Sequence, residues 1–161
     1  MKTIILMRHS KTEPTNNNTI DFDRKLTQNG IQDAKKMGKY LANKVKPDVM
    51  LVSSAQRTRQ TWSNIHECWG NIPTKFDSNL YLASSEFIWN QIQNLDSLLD
   101  TVLILGHNPG ISEVINRIPK FRIDILPTSG VVCIEFNTDT FQNIPKCEAE
   151  LGFFSHPSIL D

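Results

Sequence analysis

Three runs of consecutive apolar residues punctuate the chain, Ile4-Ile5-Leu6-Met7, Val49-Met50-Leu51-Val52 and Thr101-Val102-Leu103-Ile104-Leu105, and each stops abruptly at small, polar or charged residues. Short unbroken runs of this kind are the pattern of strands covered on both faces. Elsewhere apolar residues recur every three or four positions, as on one stripe of a helix. Thr27 suits the N-cap of a helix carrying Ile31, Ala34, Gly38, Leu41 and Val45, with Pro47 marking its end. Thr58, Trp62, Ile65 and Trp69 define a second helix running down to Gly70. Ile88, Ile92, Leu95 and Leu99 define a third, capped by Ser84 or Ser85, with a short strand around Lys75-Phe76 before it. In Gly106-His107-Asn108-Pro109-Gly110, Asn108 suits an N-cap and Pro109 the first turn of a fourth helix, which carries Ile111, Val114, Ile115 and Ile118 and stops near Pro119. Val131 to Phe136 and Cys147 to Phe153 read as two late strands, and Glu13 to Asn18 as a surface loop.

Alternation of buried strands with amphipathic helices predicts an α/β fold, a three-layer sandwich in which helices flank a largely parallel central sheet. At 161 residues the chain fits one domain spanning residues 1–161, with no repeat or composition break. A domain of this size buries roughly 70% of its unfolded surface without staples. Hydrophobic residues at 39% and charged residues at 21% place it far from the disordered regime.

Charge narrows the function. Seventeen basic residues balance seventeen acidic ones, so nothing global recruits nucleic acid or an anionic membrane, and any attraction for anions is local. Trp62, Trp69 and Trp89 are expected to pack in the core or a groove, because no basic stripe accompanies them to make a nucleic-acid platform. Three cysteines, Cys68, Cys133 and Cys147, form no C-x-x-C pair, and His66 with Cys68 lacks zinc-ligand spacing, so no metal is assigned. Lys2 to Met7 is too short for a signal peptide's apolar region, and no run approaches the roughly 20 residues of a membrane span. The expectation is a cytoplasmic protein.

Arg8-His9, Ser53 through Arg57 and Gly106-His107 each follow one of the three clearest strands. Open α/β sheets bind ligands at the carboxyl ends of their strands, so these clusters are expected to converge. Two histidines and two arginines with no acidic partner suit an anion with several oxygens, since guanidinium groups grip phosphate with paired donors and keep their charge. The two arginines are expected to lower the pKa of His9 from about 6.5 and leave its imidazole neutral. Ser53 is read as fixing the backbone at the strand end, and Arg59, two residues past Arg57, as pointing elsewhere.

These residues also carry a family resemblance. Arg8-His9-Ser10-Lys11-Thr12-Glu13 resembles the arginine-histidine signature of the histidine phosphatase superfamily, with Ser10 where glycine is usual. Ser53-Ser54-Ala55-Gln56-Arg57-Thr58-Arg59-Gln60-Thr61 resembles its second arginine motif, and Gly106-His107-Asn108 its second histidine motif. Asp21-Phe22-Asp23-Arg24-Lys25-Leu26-Thr27 with Asn29-Gly30 is similar to the small SixA-type branch, which dephosphorylates phosphohistidine on proteins. The resemblance runs from Lys2 to about Ile118 in the correct order and implies a phosphoglycerate mutase-like fold. It implies that His9 is the nucleophile, that Arg8, Arg57 and His107 hold the transferring group, and that no cofactor is needed. Arg24 lines the pocket on this resemblance or is a solvated loop arginine. Glu86, near the start of the third helix, is the candidate general acid.

Only about thirty residues separate Trp69 from Thr101, too few for the large cap that encloses small substrates in mutases, so an open pocket is expected. The substrate is then a phosphorylated protein or, with the same mechanism, a small phosphoester; a phosphate-binding module without turnover is the third reading. A monomer is favoured.

Overall fold

The computed structural model describes residues 1–160. Six strands form one sheet in the order β3-β2-β4-β1-β5-β6. The strands are β1 (Lys2–Arg8), β2 (Val49–Ser53), β3 (Thr74–Asp77), β4 (Thr101–Gly106), β5 (Val131–Phe136) and β6 (Ala149–Ser155). The first four run parallel, and β5 is antiparallel to both of its neighbours, β1 and β6. The four helices are α1 (Gln28–Ala42), α2 (Gln56–His66), α3 (Ser85–Gln93) and α4 (Gly110–Asn116).

Unbroken apolar runs form central strands here because the sheet has a core on each face. In β1, Ile4 and Leu6 join one core while Ile5 and Met7 join the other; in β4, Val102 and Ile104 separate from Leu103 and Leu105 in the same way. Ala34, Met37 and Leu41 of α1 and Ile65 of α2 close one face, and Ile88 and Ile92 of α3 with Ile111, Val114 and Ile115 of α4 close the other. From β1 the chain steps outward through β2 to β3 by way of α1 and α2, then returns to β4 and β5 by way of α3 and α4. Right-handed crossovers require this change of direction to move the helices to the opposite face. The reversal falls between β1 and β4, whose carboxyl ends are in register, Arg8 opposite Gly106. A crevice at such a reversal is where α/β sheets bind ligands.

Element ends differ from the apolar periodicity in several places. α1 stops at Ala42, short of Val45, α2 at His66, short of Trp69, and α3 at Gln93, short of Leu95 and Leu99. All four of those residues still pack against a core from beyond the helix ends, so the period reported burial beyond the hydrogen-bonded helix. β6 lies two residues later than expected, after a 3-10 turn at Phe141–Lys146. α4 begins at Gly110 with Pro109 ahead of it, so Asn108 caps from one position further out: its Oδ1 accepts from the Ser112 amide (3.3 Å) and hydroxyl (2.6 Å). Thr27 and Ser84 cap α1 and α3 as expected. Among the described residues no helix is long and apolar enough to cross a membrane.

Gly110 brings the start of α4 against the chain preceding α3. A Cβ at Gly110 would lie 2.2 Å from the Ala83 carbonyl oxygen and 3.1 Å from Ile88 Cδ1. Gly110→Ala is expected to destabilise the protein by about 1–3 kcal/mol through forced backbone displacement, measured as a lowered urea midpoint at unchanged m-value.

Candidate active site

The register just described brings three polar clusters to neighbouring strand ends. β4 lies between β1 and β2, so His107, following β4, has Arg8 and His9 on one side and Ser53 and Arg57 on the other. The ring centroids of His9 and His107 are 5.4 Å apart. His9 is 6% exposed, His107 3% and Arg57 2%.

Each side chain is held by a specific partner. Nδ1 of His9 lies 2.7 Å from the Ser10 carbonyl oxygen, which can only accept, so Nδ1 carries the proton and Nε2 keeps its lone pair. Ser10 is itself pinned: its amide donates to Thr61 Oγ1 at 3.0 Å, and its hydroxyl pairs with that of Ser129. The Ser129 amide in turn donates to the His9 carbonyl at 3.0 Å. The Ser10 side chain thus has a buried partner from the turn ahead of β5. His107 Nε2 lies 2.7 Å from Ser53 Oγ, and that oxygen accepts from the Ala55 amide at 3.3 Å. Arg8 Nη1 donates to the Leu126 carbonyl (3.1 Å), and Asn108 Nδ2 donates to the same oxygen (2.9 Å).

An acidic residue is present after all. Arg57 donates from Nη1 to the Asp21 carbonyl (2.7 Å) and from Nη2 to Asp21 Oδ2 (3.0 Å). Arg24 donates from Nε to Asp21 Oδ1 (2.9 Å), and its Nη1 reaches Thr12 Oγ1 at 2.9 Å. Tyr81 donates its hydroxyl to Asp21 Oδ2, sets its ring edge-on to His107 with centroids 5.4 Å apart, and faces the Arg57 guanidinium at 5.6 Å. The Tyr81 hydroxyl, followed by the arginines, holds the Asp21 carboxyl at about 2, below the ordinary carboxylate range, so it stays ionised. Burial, reinforced by Asp21, raises the Tyr81 phenol.

Both imidazoles are neutral. Burial chiefly, then Arg57, Arg8 and Arg24, lowers His9 to about 3 against the opposing Ser10 hydrogen bond. Burial, then His9 and Arg57, lowers His107 to about 3 as well. The arginines therefore act as expected, but removal from water is the larger cause. Burial and then Arg57 also lower the Arg8 guanidinium, which keeps its charge. Among the described residues, three buried nitrogens, Nε of Arg8, Nε of Arg57 and Nδ1 of His107, have no partner.

Arg8, His9, Arg57 and His107 are thus brought together, and Arg24 joins them through Asp21. Glu86 is not: it is exposed in the first turn of α3, with no hydrogen bond or ion pair to the other four among the described residues. Asp21, Tyr81 and the Ser53 hydroxyl escaped residue-by-residue reasoning. The strand-end rule reveals only side chains that follow strands, whereas Asp21 lies in a 3-10 turn and Tyr81 after another. For Asp21 the branch motif was the one available signal. Arg59 points away, donating to the Ser54 carbonyl (2.9 Å) and lying over Phe76.

Residues 4–81 match the family model of the histidine phosphatase superfamily (branch 1). Over those 78 residues, just under half of the chain, the sequence is similar to that superfamily. The match includes Arg8, His9, Arg24 and Arg57, while His107 lies beyond it and is brought alongside by β4. An uncharacterized protein of Mycobacterium tuberculosis is 28% identical over 158 residues, covering 91% of this chain and 98% of that one. One from Mycobacterium leprae is 27% identical over 164 residues, covering 94% and 99%. Among solved structures, the protein assigned as the phosphohistidine phosphatase SixA of Agrobacterium tumefaciens superposes with a TM-score of 0.83 at 24% identity, covering 97% of this chain and 98% of that one. The protein histidine phosphatase SixA complexed with tungstate has a TM-score of 0.83 at 20% identity, covering 99% of each chain. A mycobacterial glucosyl-3-phosphoglycerate phosphatase complexed with VO3 reaches 0.69 at 12% identity, covering 97% of this chain and all of that one. The sheet and helices are thus phosphoglycerate mutase-like.

Neutral buried histidines leave a signature in stability. An unfolded chain binds protons on His9 and His107 near pH 6.5, whereas the folded chain refuses them until about pH 3. Their contribution is complete above pH 6.5 and is lost progressively as pH falls toward 3; that of Asp21 is lost only below its unfolded value of about 3.8, on the way to about 2. Urea midpoints between pH 7 and 4.5 are expected to fall for the native protein and to fall less steeply for His107→Gln; parallel slopes would contradict neutral burial.

Proposed function

We propose that this histidine phosphatase transfers a phosphoryl group from phosphohistidine on a protein to Nε2 of His9 and then to water. The observation that carries the reading is the tautomer of His9, with Nδ1–H given to the Ser10 carbonyl and the Nε2 lone pair free in a neutral ring. Nε2 attacks phosphorus as the substrate's P–N bond breaks; water then attacks phosphorus, the P–Nε2 bond breaks, and inorganic phosphate leaves. Arg8, Arg57 and His107 hold the non-bridging oxygens. With the Ser53 hydroxyl donating to Nε2 of His107, its partnerless Nδ1 is the donor toward that group, alongside the unsatisfied Nε atoms of Arg8 and Arg57. The sequence of steps calls for no cofactor.

The leaving group decides the substrate class. An alkoxide needs a proton from an acid, whereas phosphohistidine protonated on its second nitrogen releases neutral imidazole. Glu86 is exposed and bonds to none of the cup residues among the described residues, and Asp21 is held ionised by Tyr81 and the arginines, so neither is supported as a proton donor. Between α2 and β4 the chain holds only β3, a 3-10 turn and α3, with no inserted cap over the site. The tungstate bound by a SixA of the same fold is a tetrahedral oxyanion, as this cup requires. A small phosphoester remains the second reading, supported by the glucosyl-3-phosphoglycerate phosphatase of the same fold.

Reactions quenched in alkaline detergent are expected to trap an acid-labile, base-stable label on His9. His9→Ala should remove it together with turnover, and Arg57→Ala should lower kcat on the order of 10²–10³-fold. A label on another residue, or undiminished turnover in His9→Ala, would reject the reading.

A further inference from the structure

Thr61 is fully buried in α2, and its hydroxyl makes two hydrogen bonds at once. Oγ1 donates to the Arg57 carbonyl at 2.8 Å, the bond to the preceding turn that a threonine inside a helix commonly makes. A hydroxyl has a single proton, so toward Ser10 it offers only a lone pair, which accepts from the Ser10 amide at 3.0 Å. That second bond joins positions 51 apart in the sequence and owes nothing to helix geometry. The Ser10 amide belongs to the peptide unit that links His9 to Ser10, and the carbonyl of the same unit accepts from the Ser129 amide at 3.0 Å. With both ends of that unit tied, the next carbonyl along the chain, that of Ser10, meets Nδ1 of His9 at 2.7 Å. Without the Thr61 hydroxyl the Ser10 N–H becomes a buried donor in need of an acceptor, and turning the unit toward one swings the Ser10 carbonyl off the imidazole. Thr58, equally buried one turn earlier, differs: its hydroxyl donates to the Ser53 and Ala55 carbonyls at 2.7 and 2.9 Å and, among the described residues, makes no bond to the His9 segment.

We infer that Thr61 is a positioning residue for the nucleophile: its lone pair holds the Ser10 amide, so that the Ser10 carbonyl keeps the proton of His9 on Nδ1 and leaves Nε2 to the transferring phosphoryl group. Thr61 acts through Ser10 and touches no substrate. The inference rests on the reading above in that Nε2 of His9 attacks phosphorus.

The test compares Thr61→Val, which keeps the shape and deletes the hydroxyl, with Thr61→Ser, which keeps the hydroxyl, and with Thr58→Val, which deletes an equally buried hydroxyl from the same helix. Long-range proton–nitrogen NMR should find native His9 protonated on Nδ1 alone, and in Thr61→Val a mixture with roughly a fifth or more of the ring protonated on Nε2. On a phosphohistidine peptide and on para-nitrophenyl phosphate, Thr61→Val should lose about tenfold or more in kcat, while KM and inhibition by inorganic phosphate change less than about twofold. Thr61→Ser should stay within about threefold of native kcat, and Thr58→Val should lower the urea midpoint with the His9 signals unchanged. If Thr61→Val does not fold, the same readings are made on Thr61→Ala, which sets no methyl against the Ser10 amide. Native kcat and a single Nδ1–H tautomer in the variant lacking the hydroxyl, or native His9 protonated on Nε2, would overturn the role of Thr61. Native turnover of para-nitrophenyl phosphate without turnover of the phosphohistidine peptide would reject the phosphohistidine reading and leave the role of Thr61 standing, since the tautomer is read without turnover.

Discussion

An imidazole can be buried beside guanidinium groups only while it carries no charge of its own. Protonating His9 would place a fourth positive charge among Arg8, Arg24 and Arg57 in a site largely withdrawn from water, and both effects push in the same direction. The local scaffold is built around keeping that ring neutral and correctly turned. The Ser10 carbonyl takes the Nδ1 proton, the Thr61 hydroxyl takes the Ser10 amide, and Ser129 ties off both the Ser10 hydroxyl and the His9 carbonyl. Ser129 does this from a left-handed backbone with φ of 60°.

Cation density on this scale needs a counterweight, and Asp21 supplies it. Its carboxylate and carbonyl take donors from Arg24, Arg57 and Tyr81, which fixes the Arg57 fork. With neutral histidines, three guanidinium charges against one carboxylate leave a net charge of about +2, the complement of a phosphoryl dianion. Tyr81 links this acidic hub to His107, packing its ring edge against the imidazole while its hydroxyl is spent on Asp21.

Much of this was legible in the sequence because parallel sheets leave a strong trace. Apolar runs such as Ile4 to Met7 announced strands covered on both faces, and the residues just past them fell at one sheet edge, so Arg8, His9, Arg57 and His107 could be grouped before any coordinates. What lay beyond reading was set by non-local contacts. Whether Ser53 touches backbone or His107 depends on how β2 and β4 are registered. The apparent absence of an acid came from searching only behind strands, whereas Asp21 arrives on a 3-10 turn between β1 and α1. Helix ends were overrun because Val45, Trp69, Leu95 and Leu99 are apolar for the sake of packing and not of helicity.

Alternate residues of β1 and β4 belong to different cores, one closed by α1 and α2 and the other by α3 and α4, and the side chains of the cup emerge where those two strands end. The cup is therefore a seam between layers. Arg57 stands on a helix of one layer, while the Asn108 amide that shares an acceptor with Arg8 leads into a helix of the other. Its guanidinium and imidazole groups therefore come together only where both layers are packed against the sheet.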